Sequence, residues 1–413
     1  MSGPQRNLTR RAEYTFKHNL KTGRHGWLRL TPAYSVVIVE ELIAGAKQPL
    51  RVLDPFSGTA TTALCAAYHG HEGVTTDINP FLVWFGRAKT AYYPAETICT
   101  ARDAVSQVTA LVEEKGVEPV PPPPIHNIER WWSAPALEFL CAVRAAIDAV
   151  TEPGSQERDL LLVAFCRTLI TLSNAAFNHQ SMSFKGRGEI SLDLEFDMGS
   201  LFAREARFVL EGAKENPRGN ARVILWDARD VGNVASVVGG QFDRVITSPP
   251  YANRMSYIRE LRPYMYWLGF LTSGRDAGEL DWQAIGGTWG AATSRLSDWK
   301  PSKHTPSGRL DNVLQQIASD ENKNGRLLAN YVARYFEDMT AHFEGLLNVL
   351  APGAELHYIV GNSAFYGVVL PVQEVYADIL RSLGFRDVAC RPIRKRNSKK
   401  ELVEFDVVAT WPG

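Results

Sequence analysis

The residues of this 413-residue chain best suited to chemistry are Thr247-Ser248-Pro249-Pro250-Tyr251. Two successive prolines stiffen the backbone and donate nothing to a sheet ladder. A small hydroxyl residue precedes them and an aromatic ring follows. The result is a rigid polar edge with a flat face beside it, which suits a planar substrate that carries an amino group and stacks. The run before it, Phe242-Asp243-Arg244-Val245-Ile246, is short, apolar and β-branched, and predicts a buried strand. The edge then stands at the C-terminal end of a strand, where open α/β sheets bind ligands. Alone, the pentapeptide reads equally as a simple strand stop.

A second stretch far upstream changes that balance: Asp54-Pro55-Phe56-Ser57-Gly58-Thr59-Ala60-Thr61. Arg51 to Phe56 predicts a first strand, Ser57 to Thr61 a tight turn, and Thr62 to His69 a helix. The turn and the helix N-terminus present free backbone N–H groups to a ligand. No Gly-Lys-Ser/Thr follows, so this is not a P-loop, and it lacks the three spaced glycines of a dinucleotide fingerprint. Glu72 to Asp77 predicts the second strand. An acid at its end suits ribose hydroxyls, although Asn79-Pro80 behind it also marks a helix start.

Together the two motifs resemble the amino-methyltransferases, which move a methyl group from S-adenosylmethionine to an exocyclic nitrogen of a nucleobase. Ser248-Pro249-Pro250-Tyr251 is similar to the N4-cytosine branch of the DNA methyltransferases; adenine-directed relatives usually carry Asp or Asn at the Ser248 position. The resemblance implies S-adenosyl-L-methionine as cofactor. Asp54 would face its amino group, with Phe56, Ser57, Gly58, Thr59 and Thr61 around the methionine end. Thr31 and Pro32, read as the N-cap and first residue of a helix, match the segment that lies across the cofactor. Asp77 and Ile78 would hold the ribose, and Asp227 and Ala228 the adenine, with Asp230 as fallback; Thr247 completes the set. In the family's usual Phe-x-Gly-x-Gly, Ala60 replaces the second glycine. Either its methyl tightens the pocket or the backbone needs no positive φ there.

The chemistry implied is in-line attack by a flipped-out base. Tyr251 would stack on it, and Ser248 and the Pro249 carbonyl would accept its amino hydrogens. Neither a metal nor a covalent enzyme intermediate is required. The rival readings are N6-adenine methylation, RNA base methylation, and a non-catalytic cofactor-binding module that recognises DNA.

The elements that must position these residues predict an α/β fold: a class I methyltransferase (Rossmann-like) seven-stranded sheet, mostly parallel, with helices on both faces and one antiparallel strand near the end. Residues 1–100, 219–271 and 326–413 would form the catalytic domain. Residues 101–218 read as a helical insertion, in which Trp131-Trp132 is a packing anchor, and 272–325 as a recognition or mobile loop rich in Gly, Ser, Thr and Asp. Lys+Arg and Asp+Glu both number 45, so a DNA surface must be a local patch. The candidates are Lys185 and Arg187 in a polar loop, Arg254 beside the catalytic edge, and Arg394, Lys395, Arg396 and Lys399 at the tip of a closing hairpin. Cysteines 65, 99, 141, 166 and 390 form no Cys-x-x-Cys pair, which argues against a zinc site or disulfide framework. With no apolar run of membrane length and no secretory signal, the expected setting is cytoplasmic. The expected partners are DNA and a cognate restriction endonuclease or defence-system proteins.

Overall fold

The computed structural model describes residues 8–9, 11–30, 33–176, 183–184, 197–287, 291–319, 324–396 and 402–413. Seven strands form one sheet: β1 (Arg51–Asp54), β2 (Glu72–Asp77), β3 (Asn220–Leu225), β4 (Phe242–Thr247), β5 (Leu350–Gly361), β6 (Arg386–Lys395) and β7 (Val403–Thr410). Their spatial order is β6-β7-β5-β4-β1-β2-β3. Strands β1 to β5 pair in parallel. β7 runs antiparallel to both β5 and β6. This is the mixed, Rossmann-like class I arrangement that the sequence predicts.

The strand residues alternate between two cores, as a period of two requires. Leu53, Val245 and Tyr358 enter the core under α12 (Gly325–Leu346) and α13 (Val372–Ser382). Their neighbours Val52, Ile246 and Ile359 enter the opposite one, against α1 (Val36–Ile43) and α2 (Thr61–Tyr68). The order of connection reverses between β1 and β4. Their C-terminal ends, with Asp54 on one and Thr247 on the other, therefore flank the crevice where such sheets bind ligands.

A third core joins α3 (Pro80–Thr90) and α8 (Tyr257–Trp267) to α4 (Ala95–Glu113), α5 (Ala134–Val150), α6 (Gln156–Thr171) and α7 (Met198–Ala213). Trp131 and Trp132 are buried in it, and the Trp132 indole N–H donates to the Leu169 carbonyl at 2.8 Å. The pair is a packing anchor. Two expectations need correction. The helix expected to open at Thr31 and Pro32 starts at Val36 instead, where the Ser35 hydroxyl caps Val37 N–H; Thr31 and Pro32 themselves lie outside the described residues. The segment 272–325 is not a structureless loop in its described parts. It folds into α9 (Gly274–Gln283), α10 (Ala291–Asp298) and α11 (Gly308–Ala318); in α11, Leu310, Val313 and Ile317 make an apolar stripe that buries against α12. Among the described residues no helix is long and apolar enough to cross a membrane.

Candidate cofactor cleft and catalytic edge

β1 delivers Asp54, fully buried, to the start of the first turn. Its Oδ1 accepts hydrogen bonds from Phe56 N–H at 3.1 Å and from the Thr247 hydroxyl at 2.5 Å. The carboxylate thus ties the first motif to the second. Burial pushes its pKa up to about 6, against the hydrogen bonds that favour the charged form. β2 delivers Asp77, whose Oδ2 accepts from Gly58 N–H at 3.1 Å and Oδ1 from Asn79 N–H at 2.9 Å. Burial again dominates and pushes this carboxyl up to about 7.

Between the two carboxylates the turn is tight: Ser57 N–H donates to Thr76 O, and Ala60 N–H to Ser57 O, each at 2.8 Å. Gly58 has φ 49° and Ala60 φ 53°, so both adopt the left-handed region. The second glycine's conformation is therefore kept although the residue is alanine. This excludes the reading that the backbone needs no positive φ there, at a cost of about 1–2 kcal/mol for the Cβ. Beneath the turn, the buried Lys89 of α3 donates to the Thr59 carbonyl at 2.5 Å. Burial lowers this ammonium to about 7. No motif flagged Lys89, because in sequence it is one of two cations, with Arg87, in the last turn of a largely apolar helix.

The turn opens into a cleft with about 980 Å³ of empty space, part of it open to solvent. Phe56, Ser57, Gly58, Thr59, Thr61, Asp77 and Ile78 line it, as do Asp227, Ala228, Ser248 and Pro250. Leu30 and Ala33, either side of Thr31 and Pro32, line it too. Asp54 and Thr247 are buried beside it, and Pro249 and Tyr251 adjoin the lining residues Ser248 and Pro250 in sequence without lining it themselves. Asp230 is exposed and outside it, whereas Asp227, the first acid after β3, lines it. The Ser57 hydroxyl is buried on the wall with no hydrogen-bond partner among the described residues, and so is open to a ligand.

Several wall residues carry no sequence signal: Trp226, Met255, Tyr257, Gln283 and Ile285. Tyr257, the first residue of α8, faces the cleft. Arg229 explains how residues 281–287 come to cover it. This side chain pairs with Asp227 at 2.6 Å and Asp338 at 3.2 Å, and donates to the Gln283 carbonyl at 2.7 Å.

At the edge, the Ser248 hydroxyl donates to Ile359 O of β5 at 2.9 Å. Its hydrogen is committed, so toward a ligand this oxygen is an acceptor. The Pro250 carbonyl accepts from the Tyr335 hydroxyl at 2.8 Å, and Tyr335 is 2.6 Å from the Tyr376 hydroxyl. Tyr251 N–H donates to the Tyr257 hydroxyl at 3.0 Å, and the Tyr251 hydroxyl to Glu404 at 2.7 Å. The Arg396 guanidinium lies over the Tyr251 ring, 4.5 Å from its centroid.

The candidate DNA contacts divide. Arg254 is exposed three residues after Tyr251, with a left-handed φ of 61°. Arg394 is turned inward onto the buried Glu404 at 2.7 Å, which is a structural pairing and not a free phosphate contact. Lys395 is exposed, and Arg396 is half-buried against Tyr251. Lys185, Arg187 and Lys399 lie outside the described residues.

No family model matches the chain. A relative is the Type II methyltransferase M.BsoBI of Geobacillus stearothermophilus, 22% identical over 438 aligned positions that span 96% of this chain and 85% of the relative. Among solved structures, the rRNA methyltransferase aviRa from Streptomyces viridochromogenes covers 95% of this chain and 92% of its own at 11% identity. Its TM-score of 0.32 is too low for that likeness to bear on this protein. The similarity to M.BsoBI, aligned along nearly the whole chain, supports a methyltransferase.

Proposed function

We propose that this chain transfers a methyl group from S-adenosylmethionine to the exocyclic N4 of cytosine in DNA at a specific sequence. The observation that carries the proposal is one cleft lined both by the turn 57–61 with Asp77 and by Ser248 with Pro250. The M.BsoBI similarity supports DNA as the substrate.

The residues present fit the cofactor. The turn supplies backbone N–H groups and the unpartnered Ser57 hydroxyl, which suit the methionine carboxylate. Asp77 on the wall offers acceptors to ribose hydroxyls, and Asp227 an acceptor to the adenine amino group. Asp54, buried beside the cleft, acts by holding Phe56 N–H and Thr247 and by its negative field under a cationic ligand. When bound, the cofactor supplies a methyl group already activated by its sulfonium.

The edge then does the rest. The amino lone pair of cytosine is delocalised into the ring and is a poor nucleophile. Ser248, with its own hydrogen committed to Ile359, accepts one amino hydrogen, and the Pro249 carbonyl accepts the other. Both pull electron density toward the attacking lone pair. Tyr251 supplies the stacking face. The Tyr335 hydroxyl on Pro250 O fixes the diproline, so the acceptors are positioned before the base arrives.

The test is nucleoside mass spectrometry of DNA from cells expressing the protein and its Ser248→Ala variant. N4-methylcytosine that appears with the first and disappears with the second is the expected result. N6-methyladenine, or methylation confined to RNA, would refute the cytosine assignment.

A further inference from the structure

The Tyr251 ring is fixed by a residue 153 positions away, Glu404. Glu404 is 2% exposed, and a carboxylate that deep is stable only when paired and hydrogen-bonded. Arg394 supplies the pairing from the neighbouring strand β6, Nε to Oε2 at 2.7 Å and Nη2 to Oε1 at 3.1 Å. The Tyr251 hydroxyl adds a third bond, to Oε1 at 2.7 Å.

Strand register explains why these groups meet. Glu404 on β7 lies directly opposite Gly361 on β5 and opposite Arg394 on β6. Residues paired this way project from the same face of a sheet. Gly361 contributes no side chain, and a Cβ there would collide with the Arg396 guanidinium that covers the Tyr251 ring. The row Gly361, Glu404, Arg394 thus forms a socket for one end of the tyrosine, while Tyr257 holds its backbone N–H. Glu404 does not line the cofactor cleft, so the socket serves the ring and not the cofactor.

We infer that Glu404 is a positioning residue for methyl transfer. Held by Arg394, it fixes the Tyr251 ring through the phenol hydroxyl in the orientation that receives the target base. The inference rests on the base-methyltransferase reading. Its consequence is that the phenol hydroxyl, and not only the aromatic face, contributes to the rate. A phenylalanine would keep the stacking surface and lose the orientation.

The experiment is a double-mutant cycle on kcat and on the KM for DNA, using S-adenosylmethionine and DNA from a host lacking the modification. Tyr251→Phe is expected to lower kcat about tenfold with little change in KM. Glu404→Ala should lower kcat by a similar factor in the wild-type background and by almost nothing in the Tyr251→Phe background. Glu404→Gln, which keeps an acceptor for the phenol, should return kcat to within about threefold of wild type. Cofactor affinity should stay unchanged throughout, which a general loss of fold would not allow. Wild-type kcat in Tyr251→Phe overturns the inference, as does a Glu404→Ala loss that is equally large in both backgrounds. Should Glu404→Ala fail to fold, Tyr251→Phe and Glu404→Gln decide alone. A wild-type protein that methylates no base overturns the underlying reading as well, so the two failures are distinguishable.

Discussion

At the cofactor turn, most hydrogen bonds join residues that are close in sequence: Phe56 to Asp54, Asn79 to Asp77, and Gly58 to Asp77 only 19 positions on; the exception is Asp54 to Thr247 across 193. At the catalytic edge, apart from Tyr251 N–H to Tyr257, they join distant ones. Ser248 reaches Ile359 across 111 positions, Pro250 reaches Tyr335 across 85, and Tyr251 reaches Glu404 across 153. The turn needs little more than one β–α–β unit to take its shape. The edge needs α12, β5 and the terminal hairpin in place around it. One cleft therefore combines a locally encoded half with a half that exists only when the sheet is closed, and the two should fail in different ways.

The largest expected effect falls on the edge. Tyr251→Ala removes both the stacking face and the anchored phenol, and should slow transfer at saturating substrates by at least about a hundredfold. Cofactor affinity, measured by calorimetry, should remain within about twofold of wild type. An equal loss of cofactor affinity would mean that the halves are not separable.

The mirror-image change is Asp77→Asn. It weakens the acceptors offered to ribose and to the turn's own amides, so cofactor affinity should fall about 10–30-fold. The transfer rate at saturating cofactor should change little.

A pH titration sharpens the same contrast. Burial raises the Asp54 carboxyl to about 6 and that of Asp77 to about 7 in the folded protein. A raised carboxyl favours the neutral form, so the stability these groups contribute is full below their unfolded pKa, near 4, and is lost as pH rises through about 6 to 7. A cofactor bearing an ammonium and ribose hydroxyls favours the ionised form instead. Affinity should therefore rise over the window in which the unliganded protein loses stability, by roughly tenfold per pH unit below the pKa of one such group. Asp77→Asn should flatten most of that slope.

A smaller change separates the edge from its support. Tyr335→Phe deletes the hydroxyl that holds Pro250 O, and should lower the transfer rate about threefold to tenfold, the value of one hydrogen bond. The smallest effect is expected at Ala60→Gly. Relief of about 1–2 kcal/mol of left-handed strain is offset by a lost buried methyl worth about 0.8 kcal/mol and by glycine's greater chain entropy. The net change in unfolding free energy should stay below about 1 kcal/mol.

The same contrast governs what the sequence reveals. Asp54, Ser57, Gly58 and Asp77 are legible because a strand end, a tight turn and a helix start follow one another within a few residues. The Ser248 to Tyr251 edge is legible as a type of surface, but its supports are not. Nothing near Tyr251 points to Glu404, and Arg394 reads as a DNA contact in a basic run until strand register turns it inward onto Glu404. Residues 281–287 are the clearest miss. Their segment looks polar and loop-like because its apolar residues are sparse, and only packing against α12 shows that they are enough for helices. Ala60 carries the opposite lesson: the side chain departs from the expected glycine, and the backbone does not.

The most direct test of the shared cleft is a crystal structure with S-adenosylhomocysteine bound. Its amino-acid end is expected against Ser57 to Thr61, its ribose on Asp77, and its sulfur on the side of the cleft that Ser248 lines. A ligand bound elsewhere, or one whose sulfur points away from Ser248, would contradict the shared cleft.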